Sequence, residues 1–336
     1  MLQVCEALLL TVHLLAVNIA SGAPFVGIWL AARARRGDGL ADTIGRRLAR
    51  WSLDGLAVGV LLGVALGAIL WWLDQEAFFS ALAQIEPRRL AFGGLELLVY
   101  YGLMAWYLAS WGRWQRLGWM HPLIAVVAGT NLVYHFPLLF TVVGLIAERG
   151  PAAPASQPFV AWLRDPELLA RVAHFCLASV AVTGAAVMLI ARAQARDGRV
   201  SDADRGAVWG AHLMLWPSLL QLPLGLYVLL QLPERSRDTL LGNDLAATIL
   251  FGIALLLTLG LMHQLATALL GKLRVEQTPR FVALLGLVVL LMVGARARAR
   301  QPLLDRWQKT PQPVAAVVAP PPSFLNSPQP LETKRR

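Results

Sequence analysis

Read from the amino terminus, apolar residues come in eight long runs, broken by short stretches rich in Arg, Asp, Pro and Gly. The runs lie at about 4–32, 53–73, 90–111, 121–147, 166–191, 207–230, 244–270 and 280–295. At 1.5 Å rise per residue, a helix of about 20 residues crosses a hydrocarbon core of ~30 Å, which is the length class of these runs. The last is the shortest, and whether it crosses completely is left open. Strands crossing a membrane would alternate apolar and polar residues over ~10 positions, and no such alternation occurs. The pattern predicts an all-α fold: a polytopic transmembrane helix bundle of about eight spans over residues 1–300, followed by a Pro-rich, disordered tail over 301–336.

Composition agrees. Of the 336 residues 57% are hydrophobic and 15% charged, against about 25% charged for a soluble domain. The net charge of +10 does not indicate a nucleic-acid partner, because the arginines fall between the spans, where they act as topology determinants. Loop 33–52 carries Arg33, Arg35, Arg36, Arg46, Arg47 and Arg50, and loop 192–206 carries Arg192, Arg196, Arg199 and Arg205. The loops near Arg113 and Lys272 lie on the same side. Placing these loops in the cytoplasm puts the N-terminus outside, in a bacterial inner membrane. Arg296, Arg298 and Arg300 then fall outside as well, against the rule. The first span has no basic residue before it and contains Glu6, so it is expected to be retained rather than cleaved as a signal peptide. Cys5 and Cys176 form no CxxC or CxxCH motif, which leaves them as small apolar residues. Many of the 12 tryptophans sit near span ends (Trp71, Trp72, Trp111, Trp114, Trp119, Trp209), as an interfacial belt would have them.

All six histidines fall within spans or at their edges. An ionisable side chain in lipid is costly unless it is paired, faces the bundle interior or binds something, and neutral imidazole is the common axial ligand of b-type haem. His13 and His174 share a level in the outer half, His135 lies near the middle of its span, and His212 and His263 lie together nearer the cytoplasmic face. His121, followed by Pro122, reads as a helix start. Candidate pairings are His135 with His174 or His13 in the outer half, and His212 with His263 in the inner half. Interhelical hydrogen bonding is the plainer account of any one of them. Glu96 reads either as a proton-relay acid or as a satisfied helix-end carboxylate. Asp54 reads as an N-terminal charge on the second span, and Pro217 and Pro223 predict a kink in the sixth.

The segment His13-Leu-Leu-Ala-Val-Asn-Ile-Ala-Ser-Gly-Ala-Pro-Phe-Val-Gly-Ile28 resembles the first helix of cytochrome bd quinol oxidase subunit I. Glu96, with Gly129-Thr-Asn-Leu132, is similar to that family's helix-3 glutamate and helix-4 Gly-Ser-Asn-Leu. His174 followed by Ser179-Val-Ala-Val-Thr-Gly-Ala185 resembles its fifth helix. The resemblance covers about residues 1–230. It implies that His13 and His174 bind haem iron, that haem b is the cofactor, and that a second membrane subunit or redox partner completes a respiratory complex. The long quinol-binding loop is reduced to about Pro233–Asn243, and the Gly-Arg-Gln-Pro-Trp signature is missing, the nearest string being Arg300-Gln-Pro302 with no Gly before it and no Trp after it. Met262 lies near the wrong end of its helix for the family's methionine ligand. A divergent, shortened haem-b electron-transfer subunit is therefore the leading expectation, with quinol oxidation in the usual arrangement not implied. A cofactor-free transporter or channel with a His- and Glu-lined path, and a scaffold that recruits a partner through its tail, stand as alternatives.

Overall fold

The computed structural model describes residues 2–73, 76–113, 118–150, 159–196 and 198–309. Eight long helices carry the chain: α1 Leu2–Arg35, α2 Gly39–Trp72, α3 Pro87–Ala109, α4 Met120–Arg149, α5 Pro166–Ala195, α6 Val200–Gln231, α7 Leu245–Leu270 and α8 Thr278–Lys309. Each is long and apolar enough to span a membrane. Short helices at Glu76–Ala83, Phe159–Trp162 and Glu234–Asp238 lie in the connections.

Three of the long helices, α2, α5 and α7, begin at an aspartate that caps them. Asp38 accepts from the Ala41 N–H, Asp165 from those of Glu167 and Leu168, and Asp244 from that of Ala247, so each satisfies amides that the first turn leaves orphaned. This corrects three expectations. The basic stretch read as loop 33–52 is helical from Gly39 onward, and Arg46, Arg47 and Arg50 belong to α2. Asp54 consequently sits exposed within α2, not at its start. The eighth span is not short, because α8 runs through Arg296–Arg300 to Lys309 and takes in the beginning of the stretch assigned to the tail. The rest of that tail, from residue 310, lies outside the described residues. Helix α6 is continuous through Pro217 and Pro223.

Consecutive helices pair as α1/α2, α3/α4, α5/α6 and α7/α8, and α1 also packs on α4, α5 and α8. Lipid chains are as apolar as leucine, so helices in a membrane associate through close packing of small residues rather than through hydrophobic exclusion. The interfaces follow that rule. A Cβ at Gly184 of α5 would stand 2.6 Å from the Gly210 carbonyl of α6, and one at Gly210 would stand 2.5 Å from the Gly184 carbonyl. On α1, a Cβ at Gly22 would collide with the Ser179 carbonyl and the Thr183 hydroxyl of α5. Alanines complete the seams: Ala203, Ala207 and Ala211 of α6 and Ala20 and Ala23 of α1 are buried.

Trp111 departs from the expected interfacial belt. It is buried, donates its Nε1–H to Asp42 at 2.8 Å, and packs edge-on against Tyr107 and His121. Trp71, Trp72 and Trp119 are exposed, as the belt reading expects, and Trp114 lies outside the described residues. Cys5 is exposed rather than buried, and Cys176 is half-buried.

Two outcomes test this packing. Gly184→Leu forces α5 and α6 apart and should lower stability by about 1–3 kcal/mol or more; an unchanged melting temperature in detergent would contradict the backbone contact. Asp38 joins Arg33 at 3.0 Å and Arg205 of α6 at 3.1 Å. Its burial disfavours the charged form, but the Arg33 hydrogen bond, the Ala41 N–H and the Arg205 charge outweigh this and hold its carboxyl below the usual carboxylate range. The unfolded chain therefore takes up this proton first as pH falls. The contribution is complete at neutral pH and is lost progressively below about pH 4. Asp38→Asn should flatten the acid limb of a melting-temperature-against-pH profile.

Candidate functional site

The histidines separate by the direction in which each ring points. His13 on α1 turns toward α2, where its Nδ1 lies 2.8 Å from the Gly59 carbonyl. A Cβ at Gly63, one turn further along α2, would be 3.2 Å from the His13 Cε1. A histidine that donates Nδ1–H to a carbonyl is fixed in the tautomer whose Nε2 lone pair is free, the arrangement a metal-ligating imidazole needs. Among the described residues the His13 Nε2 has no hydrogen-bond partner.

His174 on α5 faces α6. The Cβ that Gly225 lacks would stand 3.9 Å from its Cε1, and Gln221 donates to its backbone carbonyl at 3.3 Å. Its Nδ1 is buried with no hydrogen-bond partner among the described residues. Leaving such an atom unpaired in a dry interior costs about 1–3 kcal/mol, which makes it the most conspicuous orphan on any histidine here. His13 and His174 share a depth but face different helices, so they define two places rather than one.

His135 on α4 does not supply the partner expected for either. Its Nδ1 lies 2.6 Å from Oε2 of Glu96 on α3, with both side chains partly buried, so the carboxylate already occupies one ring nitrogen. His212 and His263 are exposed. Their helices turn Ala211, Met214 and Leu215, and Leu261, Met262 and Leu265, toward the core. A residue next to a core position is rotated by about 100° around the helix, and both histidines end on the outer surface. The bundle thus does not enclose the inner pairing. His121 is buried, as the start of α4, stacked 4.0 Å over Tyr107 with its Nε2 3.2 Å from the Tyr107 carbonyl.

The short segments singled out along the chain meet in space. Ser179 donates to Oδ1 of Asn18 at 2.7 Å, directly beside the Gly22 contact. Gly129 of α4 lies under the Phe25 ring of α1, and Asn131 donates to the Glu96 carbonyl at 3.0 Å. The stretches around 13–28, 96, 129–132 and 179–185 are therefore one connected knot centred on α1.

A second cluster escaped sequence reasoning. Glu148 at the end of α4 is 3% exposed and receives Arg171 of α5 at 2.7 Å and Arg300 of α8 at 2.8 Å, with Arg296 at 4.0 Å. Arg171 also pairs with Glu167, and Arg149 with Asp165 and Glu167. The signal was present in the arginines that break the positive-inside pattern: Arg296 and Arg300 are held at that end by a buried carboxylate on another helix. At Asp165, burial opposes ionisation, but Arg149 and the amides of Leu168 and Glu167 hold the carboxyl below its ordinary range.

No family model and no curated protein matches the chain. The bd oxidase structure from Geobacillus thermodenitrificans matches with a TM-score of 0.68 at 17% identity, over 90% of this chain and 87% of that chain. The chain has a fold like that of the matched bd oxidase chain. The near-equal coverage means that the two chains are of similar length. At this identity the likeness establishes the arrangement of helices and leaves the roles of individual residues to their geometry.

Removing the shared carboxylate tests the charged cluster. Glu148→Gln breaks the buried pair with Arg171 and takes a partner from the more exposed Arg300 and Arg296, and should cost about 3–5 kcal/mol. A variant that melts within a degree or two of the parent would show that Glu148 does not hold α8 in place.

Proposed function

We propose that the protein is a membrane subunit of a respiratory oxidase-like complex and holds haem b between its helices for electron transfer. The observation that carries this is the buried, unpartnered Nδ1 of His174 opposite the bare backbone of Gly225, in a chain whose fold is like that of the matched bd oxidase chain. His174 would hold the haem iron through an imidazole that has no other partner, with Gly225 presenting no side chain toward the ring. His13 supports a second position. Its ring is held through Nδ1 by the Gly59 carbonyl, with Gly63 as the small residue across from it, so its Nε2 is the nitrogen presented.

Bound haem b would supply one-electron chemistry at its iron. The chain's own contribution is orientation and exclusion of water. Gly59 fixes the tautomer of His13, and α6 packs against His174, whose Nδ1 is buried from water. A dry, apolar shell shifts a redox potential by disfavouring the more highly charged state of the centre. In this reading the Glu96–His135 pair carries a proton rather than iron, and a second membrane subunit or redox partner completes the complex. Cytoplasmic-membrane residence in a bacterium belongs to the same proposal.

The Glu96–His135 pair also favours a second reading, a cofactor-free path for protons or a small substrate through α3 and α4. A reduced-minus-oxidised spectrum separates the two. Protein purified with a haem supply should show a b-type α-band that shrinks in His174→Ala and in His13→Ala and persists in Glu96→Gln. A featureless spectrum of the parent would end the haem reading and leave the path.

A further inference from the structure

At the end of the bundle that carries the arginine-rich connections, a groove opens between α3 and α4. Leu103 and Trp106 of α3 form one wall. Met120, Leu123 and Val127 of α4, with Trp119 just before them, form the other. The spacing of these positions makes a stripe on each helix, and Trp106, Leu123 and Val127 are 48%, 45% and 45% exposed, so no other helix covers the groove. The space is about 260 Å³ and its lining is apolar throughout. Pockets that enclose a small organic ligand run to roughly 300–1,000 Å³ and carry a few polar groups to orient it. This one is smaller and offers none. It extends about 10 Å along α4 from Met120 to Val127, which suits a hydrocarbon chain lying against the helices and not a ring with polar substituents.

The mouth of the groove is positively charged. Arg113 follows α3 and donates to the Ala109 carbonyl at 3.2 Å, one turn beyond Trp106. Arg35 of α1 donates to the Gly118 carbonyl at 2.7 Å, one residue before Trp119. Nη2 of Arg46 on α2 stands by Gly112, 3.7 Å from where a Cβ would be. Of the nearby carboxylates, Asp42 pairs with Arg46 at 3.1 Å and accepts the Trp111 Nε1–H, and Asp38 is taken by Arg33 and Arg205. Arg35 and Arg113 have no carboxylate partner among the described residues. Guanidinium groups at the rim of an apolar groove match an anionic phospholipid at both ends. Arg binds a phosphate through parallel N–H bonds, and basic pockets between membrane helices select acidic head groups. We propose that the groove between α3 and α4 holds an acyl chain of an anionic phospholipid, with Arg35 and Arg113 binding its phosphate. The lipid comes from the leaflet that faces the basic connections, and it adds to the packing of α3, the helix that carries Glu96. The site is independent of any haem.

The test uses full-length protein in detergent, titrated with dioleoyl phosphatidylglycerol and with dioleoyl phosphatidylcholine, and counts retained lipid by native mass spectrometry. The parent should retain one phosphatidylglycerol in preference to phosphatidylcholine by about tenfold or more, and the preference should fall as salt is raised. Arg113→Gln should lower it about fivefold, the worth of one arginine near a membrane surface, and Arg113→Lys should restore most of it. Leu123→Trp fills the groove from an exposed position and should weaken the retention of both lipids. Circular dichroism and melting profiles report whether each variant is folded. Equal retention of the two lipids by the parent, or a preference that salt leaves untouched, would overturn the proposal. So would an unchanged preference in folded Arg113→Gln, or unchanged lipid retention in folded Leu123→Trp. A quinone that copurifies with the parent and is lost from Leu123→Trp would assign the groove to a redox lipid and would overturn it as well.

Discussion

The contact on which the rest of the bundle depends is the close approach of α1 to α5 at Gly22. With no side chain on Gly22, the Ser179 carbonyl and the Thr183 hydroxyl occupy the space that a Cβ would fill. Ser179 can then reach Asn18 with a hydrogen bond inside the membrane-spanning region. Water is absent from that region and lipid offers no hydrophobic drive, so packing of this closeness, with one buried polar bond, is what fixes the register of two helices. Because α1 also packs on α2, α4 and α8, its register sets the height of His13 against Gly59 and of Phe25 against Gly129. A shift of one turn along α1, about 5.4 Å, would take all of these contacts apart together.

The charged corner works by a different balance. Bringing Glu148 and Arg171 out of water costs several kcal/mol per ion, and their mutual attraction offsets this only where the remaining donors and acceptors are also met. Glu148 meets that condition through two short guanidinium contacts, while Arg171 meets it only in part. Natural proteins retain such half-met polar networks in membranes where they line a path or hold a ligand. The same corner explains the length of α8. The apolar run ends near residue 295, but the helix continues because Arg296 and Arg300 find a carboxylate on α4 instead of having to turn away into water.

Legibility of the site in the sequence was uneven for a physical reason. Depth along a helix depends only on rise per residue, so counting from a span end placed His13 and His174 at one level. Direction around a helix depends on which face its neighbours cover, and one position changes it by about 100°. His212 and His263 show the consequence. Each is beside residues that face the core, yet each lies on the outside. His135 was read as a spare ligand because the sequence does not show that Glu96, 39 positions earlier in the chain by their numbers, would come within 2.6 Å of it.

By itself the sequence determined the class of the protein, the number of its spans and the residues able to carry chemistry in a membrane, because apolar run length and the cost of charge in lipid are local properties. It also contained the cap residues Asp38, Asp165 and Asp244, whose effect reaches only a few residues. Only the tertiary structure decided which ring nitrogens are satisfied and which are left open, and that Arg296 and Arg300 belong to Glu148 and not to the topology signal. It also decided that the short segments at 13–28, 96, 129–132 and 179–185 form one knot. Those outcomes rest on contacts between helices far apart in the chain. Such contacts arise where backbones without side chains can touch, and no window along the sequence contains both partners.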